Sequence, residues 1–372
     1  MSAAPPSFLP PSRLLLGPGP SPIDPRILQA FTRPTLGHLD PIFLKLMDEA
    51  RGMLQQVFRT KNELTFPVSG TGTAGMETCL VNLIEPGDEV VVCVQGYFGA
   101  RMADIAGRAG GRVTKLDAKW GEGFEPGQVE PLLKGKNVKI LAMVQAETST
   151  GYNQPVKEFA ELAHKHGALL VVDAVTSTGG IPVEVDAWGI DAIYTGTQKC
   201  LGGPPGLAPV TFSPKAIDAI NQRKIKCVSW YLDVSLITKY WGGARAYHHT
   251  APINNVYAIH ESLRLLLEEG LDARWKRHAD AHQRFAKGAA EIGLKFVVAE
   301  ANRLPQLNAM RIPEGFDDKA GRKRLLEEHG IEIGGGLGDF AGKVWRVGLM
   351  GHGARPETVD KALAAFKKVL AK

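Results

Sequence analysis

Between about residues 60 and 215 the chain repeats one alternation, and this constrains its fold more than any other feature. Short runs of nearly unbroken apolar residues recur at 64–69 (LTFPVS), 89–94 (EVVVCV), 138–145 (VKILAMVQ), 168–175 (ALLVVDAV), 191–197 (DAIYTGT) and 207–213 (LAPVTFS), with a more polar run at 112–117 (RVTKLD). A strand that is apolar at every position is covered on both faces. The segments between several of these runs have helical spacing, at 73–83, 100–109 and 156–166. Strands joined through helices make crossover connections, so the sheet is expected to be largely parallel. Ligands of such sheets bind beyond the carboxyl ends of the strands.

The flanks differ. The opening arm runs into LLLGPGPSPIDP, where Pro18, Pro20, Pro22 and Pro25 argue against regular structure and for a rigid segment packed across another surface. Ile42, Phe43, Leu46, Met47 and Leu54 predict a helix over 41–58. After Pro252 one long helical stretch leads to a mixed region ending in an amphipathic helix. A chain of 372 residues suits two domains of unequal size. The expected division is an N-terminal arm (1–16), a large α/β domain (17–269) and a smaller C-terminal α+β domain (270–372).

Composition serves mainly to exclude. The net charge of +5 is spread out, with no basic stripe of the kind that binds nucleic acid. Such a mild excess suits small anionic metabolites. Cys79, Cys93, Cys200 and Cys227 show no C-x-x-C spacing and read as free thiols of a reducing cytoplasm. The N-terminus lacks the basic and apolar regions of a signal peptide, no run of 18 apolar residues predicts a membrane span, and the C-terminus is not Ser-Lys-Leu.

Three places carry candidate chemistry. In SGTGTAGME, Gly70, Gly72 and Gly75 form G-x-G-x-x-G between a strand and a helix, where backbone N–H groups can hold a phosphate. A dinucleotide site would need an acid at the end of the next strand, and Gln95 stands there. A single phosphate would be helped by the hydroxyls of Thr71 and Thr73, and a merely structural turn is the third reading. Asp173 ends a buried strand and needs a partner, either a helix N-terminus to cap or a protonated ring nitrogen. Lys199 follows another strand within TGTQKCLGGPPG; most lysines are solvated, but this setting presents an amine inside a cleft, where burial makes it nucleophilic.

The ordered set LLLGPGP, SGTGTAGME, NLIEPGD, ETSTG, VVDAVTSTGG, TGTQKCLGGPPG, YHHTAP and VWRVGLMG spans almost the whole chain and resembles the class V aminotransferases, most closely their alanine–glyoxylate and serine–pyruvate/glyoxylate group. The resemblance implies the aspartate-aminotransferase-like fold (fold type I), pyridoxal 5'-phosphate (PLP) as a Schiff base on Lys199, and a homodimer with shared active sites. It implies that Lys199 also moves the substrate proton, that Asp173 pairs with the ring nitrogen, and that Val175 packs beneath the ring. Phe98 stands where near relatives often carry Trp, and Thr148 lies near the phenolic oxygen. Thr71, Gly72, Thr73 and Gln198 become phosphate ligands, joined by Tyr247 and Thr250 of the neighbouring subunit; Thr73 replaces a His of some relatives. Arg346 would clamp the carboxylate of a small α-amino or α-keto acid. The implied reaction passes an amino group from L-alanine or L-serine to glyoxylate.

The residues also admit alternatives. Cysteine desulfurases need a cysteine in the C-terminal third, and all four here precede residue 228. Ureidoglycine is a further donor, which Asn254 and Asn255 could read. The Gly motif alone would also admit a nicotinamide-dependent oxidoreductase. His164 and His166 read as solvated, His248 and His249 as interface residues without a metal, and GGGLG at 334–338 as close packing near the cleft.

Overall fold

The computed structural model describes residues 4–371; residues 1–3 and Lys372, on which the expectations about terminal targeting signals partly rest, lie outside the described residues. In chain order the strands are β1 (Leu14–Leu16), β2 (Leu64–Ser69), β3 (Glu89–Val94), β4 (Arg112–Asp117), β5 (Val138–Val144), β6 (Ala146–Glu147) and β7 (Tyr152–Asn153). They continue with β8 (Leu169–Asp173), β9 (Ala192–Tyr194), β10 (Leu207–Phe212), β11 (Lys295–Phe296), β12 (Leu307–Arg311), β13 (Ile331–Gly335) and β14 (Val344–Gly348).

The larger sheet has seven strands in the order β2-β10-β9-β8-β5-β3-β4. Every pairing from β9 across to β4 is parallel, whereas β10 runs antiparallel to both of its neighbours. The interior strands β5 and β8 are buried almost throughout, as their unbroken apolar runs require. β4 lies at the edge, and its alternation of exposed and half-buried residues leaves charged side chains on an otherwise pairable strand. The parallel register sets Asp173 at the end of β8 directly beside Tyr194 at the end of β9. That edge of the sheet is where the site forms.

The first four helices are α1 (Pro25–Phe31), α2 (Pro41–Phe58), α3 (Gly72–Leu83) and α4 (Tyr97–Arg108), of which α3 and α4 begin at that edge. α2 matches its predicted span. α4 begins three residues before the predicted start, which puts Phe98 in its first turn. The Pro-rich arm is more regular than expected. Pro25 opens α1 at a position whose N–H would have no helical partner anyway, and the carboxylate of Asp24 caps the helix by accepting from Arg26 N at 2.9 Å. The stretch after Pro252 is two helices, Ile253–Glu269 and Leu271–Glu291, separated at Gly270, whose φ of 84° no helix contains.

The smaller sheet has the order β1-β13-β14-β12-β11. β1 joins it in parallel with β13, pairing Leu14 with Ile331 and Leu16 with Ile333. Leu16 packs into a core that includes Phe285, Trp345 and Phe366. Cys79, Cys93 and Cys200 are buried and Cys227 is half-buried, and none forms a disulfide. Among the described residues no helix is long and apolar enough to cross a membrane.

Candidate active site

Lys199 lies at a kink in the turn Thr197–Leu201 that follows β9, where its own backbone leaves the helical region (φ −104°, ψ −129°). Its side chain is buried, and its Nζ donates to the carbonyl of Pro18. Burial pushes the amine down to about 8, the Arg346 charge pushes the same way, and Asp173 and Glu147 oppose the shift. The arm wraps this turn closely. Ser21 N donates to Gln198 O at 2.9 Å, and Ser21 Oγ donates to Lys199 O at 2.8 Å. Gly19 has φ 113°, and a Cβ there would stand 2.7 Å from Lys199 Nζ. The surface that the GPGP arm crosses is therefore the lysine itself.

Asp173 is 3% exposed at the carboxyl end of β8. Oδ1 accepts from Val175 N and Oδ2 from Tyr194 OH, both at 2.8 Å. Burial raises its carboxyl to about 6, and the two donors hold the shift back. An ionised carboxylate has about four lone-pair sites, so acceptor capacity is left over. Val175 forms the adjoining wall: a Cβ on Gly72 would meet Val175 Cγ2 at 3.1 Å.

α3 points its N-terminus at the same place. Thr71 is its N-cap but makes no side-chain capping bond, and the N–H groups of Gly72 and Thr73 have no acceptor among the described residues. These are the free donors that an anion would take. The amide oxygen of Gln198 is buried without a donor, and a half-turn about the last bond would present its NH2 group there instead. Thr71, Gly72, Thr73 and Phe98 line a cavity of about 250 Å³ together with Thr148, Asp173, Val175, Gln198, Lys199 and others.

Arg346, on β14, reaches the site from the smaller sheet. Nη1 donates to the carbonyl of Thr148 at 3.1 Å and Nε to that of Gly335 at 2.8 Å. Burial lowers the guanidinium to about 10. It has no carboxylate partner among the described residues. The GGGLG segment does pack closely here: a Cβ on Gly334 would fall 2.5 Å from Pro18 Cδ and 3.6 Å from Arg346 Nη2.

Tyr247 and Thr250 are not brought to this cavity; both are exposed, with their hydroxyls 3.5 Å apart. Asn254 spends its NH2 on the carbonyls of Phe31 and Arg33, whereas Asn255 donates once, to that of Pro205; neither lines this cavity. Gln95 donates to Val144 O inside the sheet, far from any ribose role. His164 is more than solvated: it bonds Asp191 Oδ2 at 2.8 Å, while His166 lies half-buried near Glu130. His248 and His249 bond each other through Nδ1, and His249 reaches Ser69 Oγ.

Two residues of the site have no local signal in the sequence. Glu147 is fully buried and accepts from the N–H groups of Phe98 and Gly99 and from the N–H and hydroxyl of Ser149. It thereby caps α4 and fixes Phe98. Burial raises its carboxyl, and these donors oppose the shift. Arg101 on α4 also lines the cavity.

These features suit a phosphorylated pyridine aldehyde: a buried amine of lowered basicity, a buried carboxylate with acceptor capacity to spare, and free amide donors at a helix start. The sequence model of the class-V aminotransferases matches residues 28–342. The rat alanine–glyoxylate aminotransferase is 41% identical over 364 residues, covering 97% of this chain and 88% of that protein. The (S)-ureidoglycine–glyoxylate transaminase of Bacillus subtilis is 39% identical, covering 97% and 91%. The solved structure of the Nostoc alanine–glyoxylate aminotransferase superposes with a TM-score of 0.97 at 49% identity, covering 100% of this chain and 98% of that one.

Proposed function

The chain belongs to the class-V aminotransferases, and from that premise we propose that it moves the amino group of L-alanine, or L-serine, to glyoxylate, giving pyruvate, or hydroxypyruvate, and glycine. It is a PLP-dependent enzyme of fold type I. The observation that carries the substrate class is a pair of buried cations. Lys199 lines the cavity and Arg346 abuts its wall through Thr148 O, both buried, and neither has a carboxylate in contact among the described residues. Unpaired buried charge is costly, so the site is built to receive an anion.

Bound pyridoxal phosphate supplies an electron sink for the pair left when the substrate's α-proton departs. Arg346 binds the α-carboxylate and orients the α-carbon, a bidentate task that suits a guanidinium. Lys199 would hold the cofactor, and its amine, brought down to about 8 by burial, would carry the substrate's α-proton. Asp173, positioned by Tyr194 OH and Val175 N, would keep the ring nitrogen protonated. Phe98, Val175 and Thr148 line the cavity; Phe98 and Val175 would pack against the cofactor ring and Thr148 would offer its hydroxyl to the phenolic oxygen. Thr71, Thr73 and Gln198 would hold the phosphate through their side chains, together with the free N–H groups of Gly72 and Thr73 at the start of α3.

A homodimer completes the proposal. Tyr247 and Thr250 lie on the surface beside exposed Val228, Trp230 and Tyr231, a patch that a second copy would cover while bringing both hydroxyls to its neighbour's phosphate. The free thiols support a cytoplasmic, reducing setting.

The deciding experiment is a visible absorbance spectrum of the purified protein. A band bleached by L-alanine or L-serine and restored by glyoxylate supports the proposal. A band indifferent to both amino acids but bleached by ureidoglycine would transfer it to the Bacillus relative's reaction.

A further inference from the structure

Arg101 holds none of these roles, yet it lines the same cavity. Among the lining residues only Lys199 and Arg101 carry positive charge. Nη1 of Arg101 donates to Thr73 Oγ1 at 2.9 Å. Its guanidinium carbon sits 4.9 Å from the centre of the Phe98 ring and 5.3 Å from that of Tyr97. It makes no ion pair and no second hydrogen bond among the described residues.

A threonine hydroxyl has one proton and two lone pairs. With Arg101 filling a lone pair of Thr73, that proton is left to be donated elsewhere. Thr73 stands in the first turn of α3, beside the unpartnered N–H groups of Gly72 and Thr73. Arg101 thus faces the phosphate end, whereas Arg346 is anchored to Gly335 and Thr148 on the smaller sheet's side. Stacking on Phe98 holds the cation in place at little entropic cost.

We propose that Arg101 is the cationic ligand of the cofactor's phosphate in this chain, supplying charge itself and orienting the Thr73 hydroxyl toward the same oxygens. The proposal rests on the aminotransferase reading and adds to it the source of positive charge that neutral hydroxyl and amide ligands lack. It also gives a reason why threonine suffices at position 73.

The test compares binding of pyridoxal phosphate with binding of pyridoxal, which lacks the phosphate. Cofactor-free wild-type, R101Q and R101K proteins are titrated with each and followed by absorbance and tryptophan fluorescence. R101Q is expected to raise the Kd of pyridoxal phosphate by at least about tenfold while leaving that of pyridoxal within about twofold. R101K, which keeps the charge but not the planar stack, should fall between. An R101Q Kd for pyridoxal phosphate equal to wild type would overturn the proposal, as would equal weakening toward both compounds, or an R101K as weak as R101Q. Failure of the wild-type protein to bind pyridoxal phosphate would overturn the aminotransferase reading itself, a result separable from any of these.

Discussion

Lys199 bears a cost that the fold accepts for chemistry. In the unfolded chain its amine titrates near the ordinary 10.5, and in the folded protein at about 8. Below pH 8 both states are protonated and the folded one carries a buried charge; from pH 8 to 10.5 only the unfolded state keeps the proton; above that neither does. The shift corresponds to about 3 kcal/mol, fully present below the folded value and relieved as pH rises toward the unfolded one. Cofactor-free Lys199→Met should therefore resist urea better than the parent by up to about 3 kcal/mol at pH 7, a gap that closes as the buffer approaches pH 10.5. A gap independent of pH would refute the assignment. Arg346→Ala removes the partner of the substrate carboxylate and should raise the KM for amino donor and keto acid by about a hundredfold; an unchanged KM for the donor would count against that role. Glu147→Gln replaces an all-acceptor group by one whose NH2 faces the donors of Ser149 or of Phe98 and Gly99. It should lower stability by about 2 kcal/mol in denaturant titrations.

The strands of the large sheet are legible in the sequence because burial on both faces writes itself as unbroken apolar residues, and Asp173 and Lys199 are legible because each follows such a run. Glu147 and Arg101 are not, since their partners lie far away in the chain: Glu147 caps a helix that begins at Tyr97, and Arg101 bonds Thr73. Nor does the arm announce itself. Prolines in a row read as irregular, but three leucines before them suffice for β1, whose partner is more than 300 residues on. The glycine between those prolines carries a specific demand. Gly19→Ala meets both a positive φ and the Lys199 side chain, so it should cost about 1–3 kcal/mol in stability and reduce the visible band of the loaded enzyme. An alanine variant with full cofactor content would show that the arm yields more readily than its packing suggests.

As a whole, one chain presents a cavity with most of its wall in place and two hydroxyl groups on its outer surface that, among the described residues, bond only each other. If two copies exchange those hydroxyls, the protein should sediment at about twice 40.1 kDa. Co-expression of Lys199→Ala with a Tyr247→Phe, Thr250→Ala double variant should restore one intact site per mixed dimer, whereas either variant alone has none. A monomer in sedimentation would refute the shared site. The enclosure of Lys199 has a further consequence, which concerns how the chain folds. The carbonyl that receives its Nζ belongs to Pro18, and the strand that anchors this segment pairs with Ile331–Ile333, more than 300 residues further along. Covering the amine therefore depends on a pairing of very high sequence separation, whose loop-closure entropy must be met before the contact is rewarded, so the large sheet and its lysine can assemble before the arm closes over them.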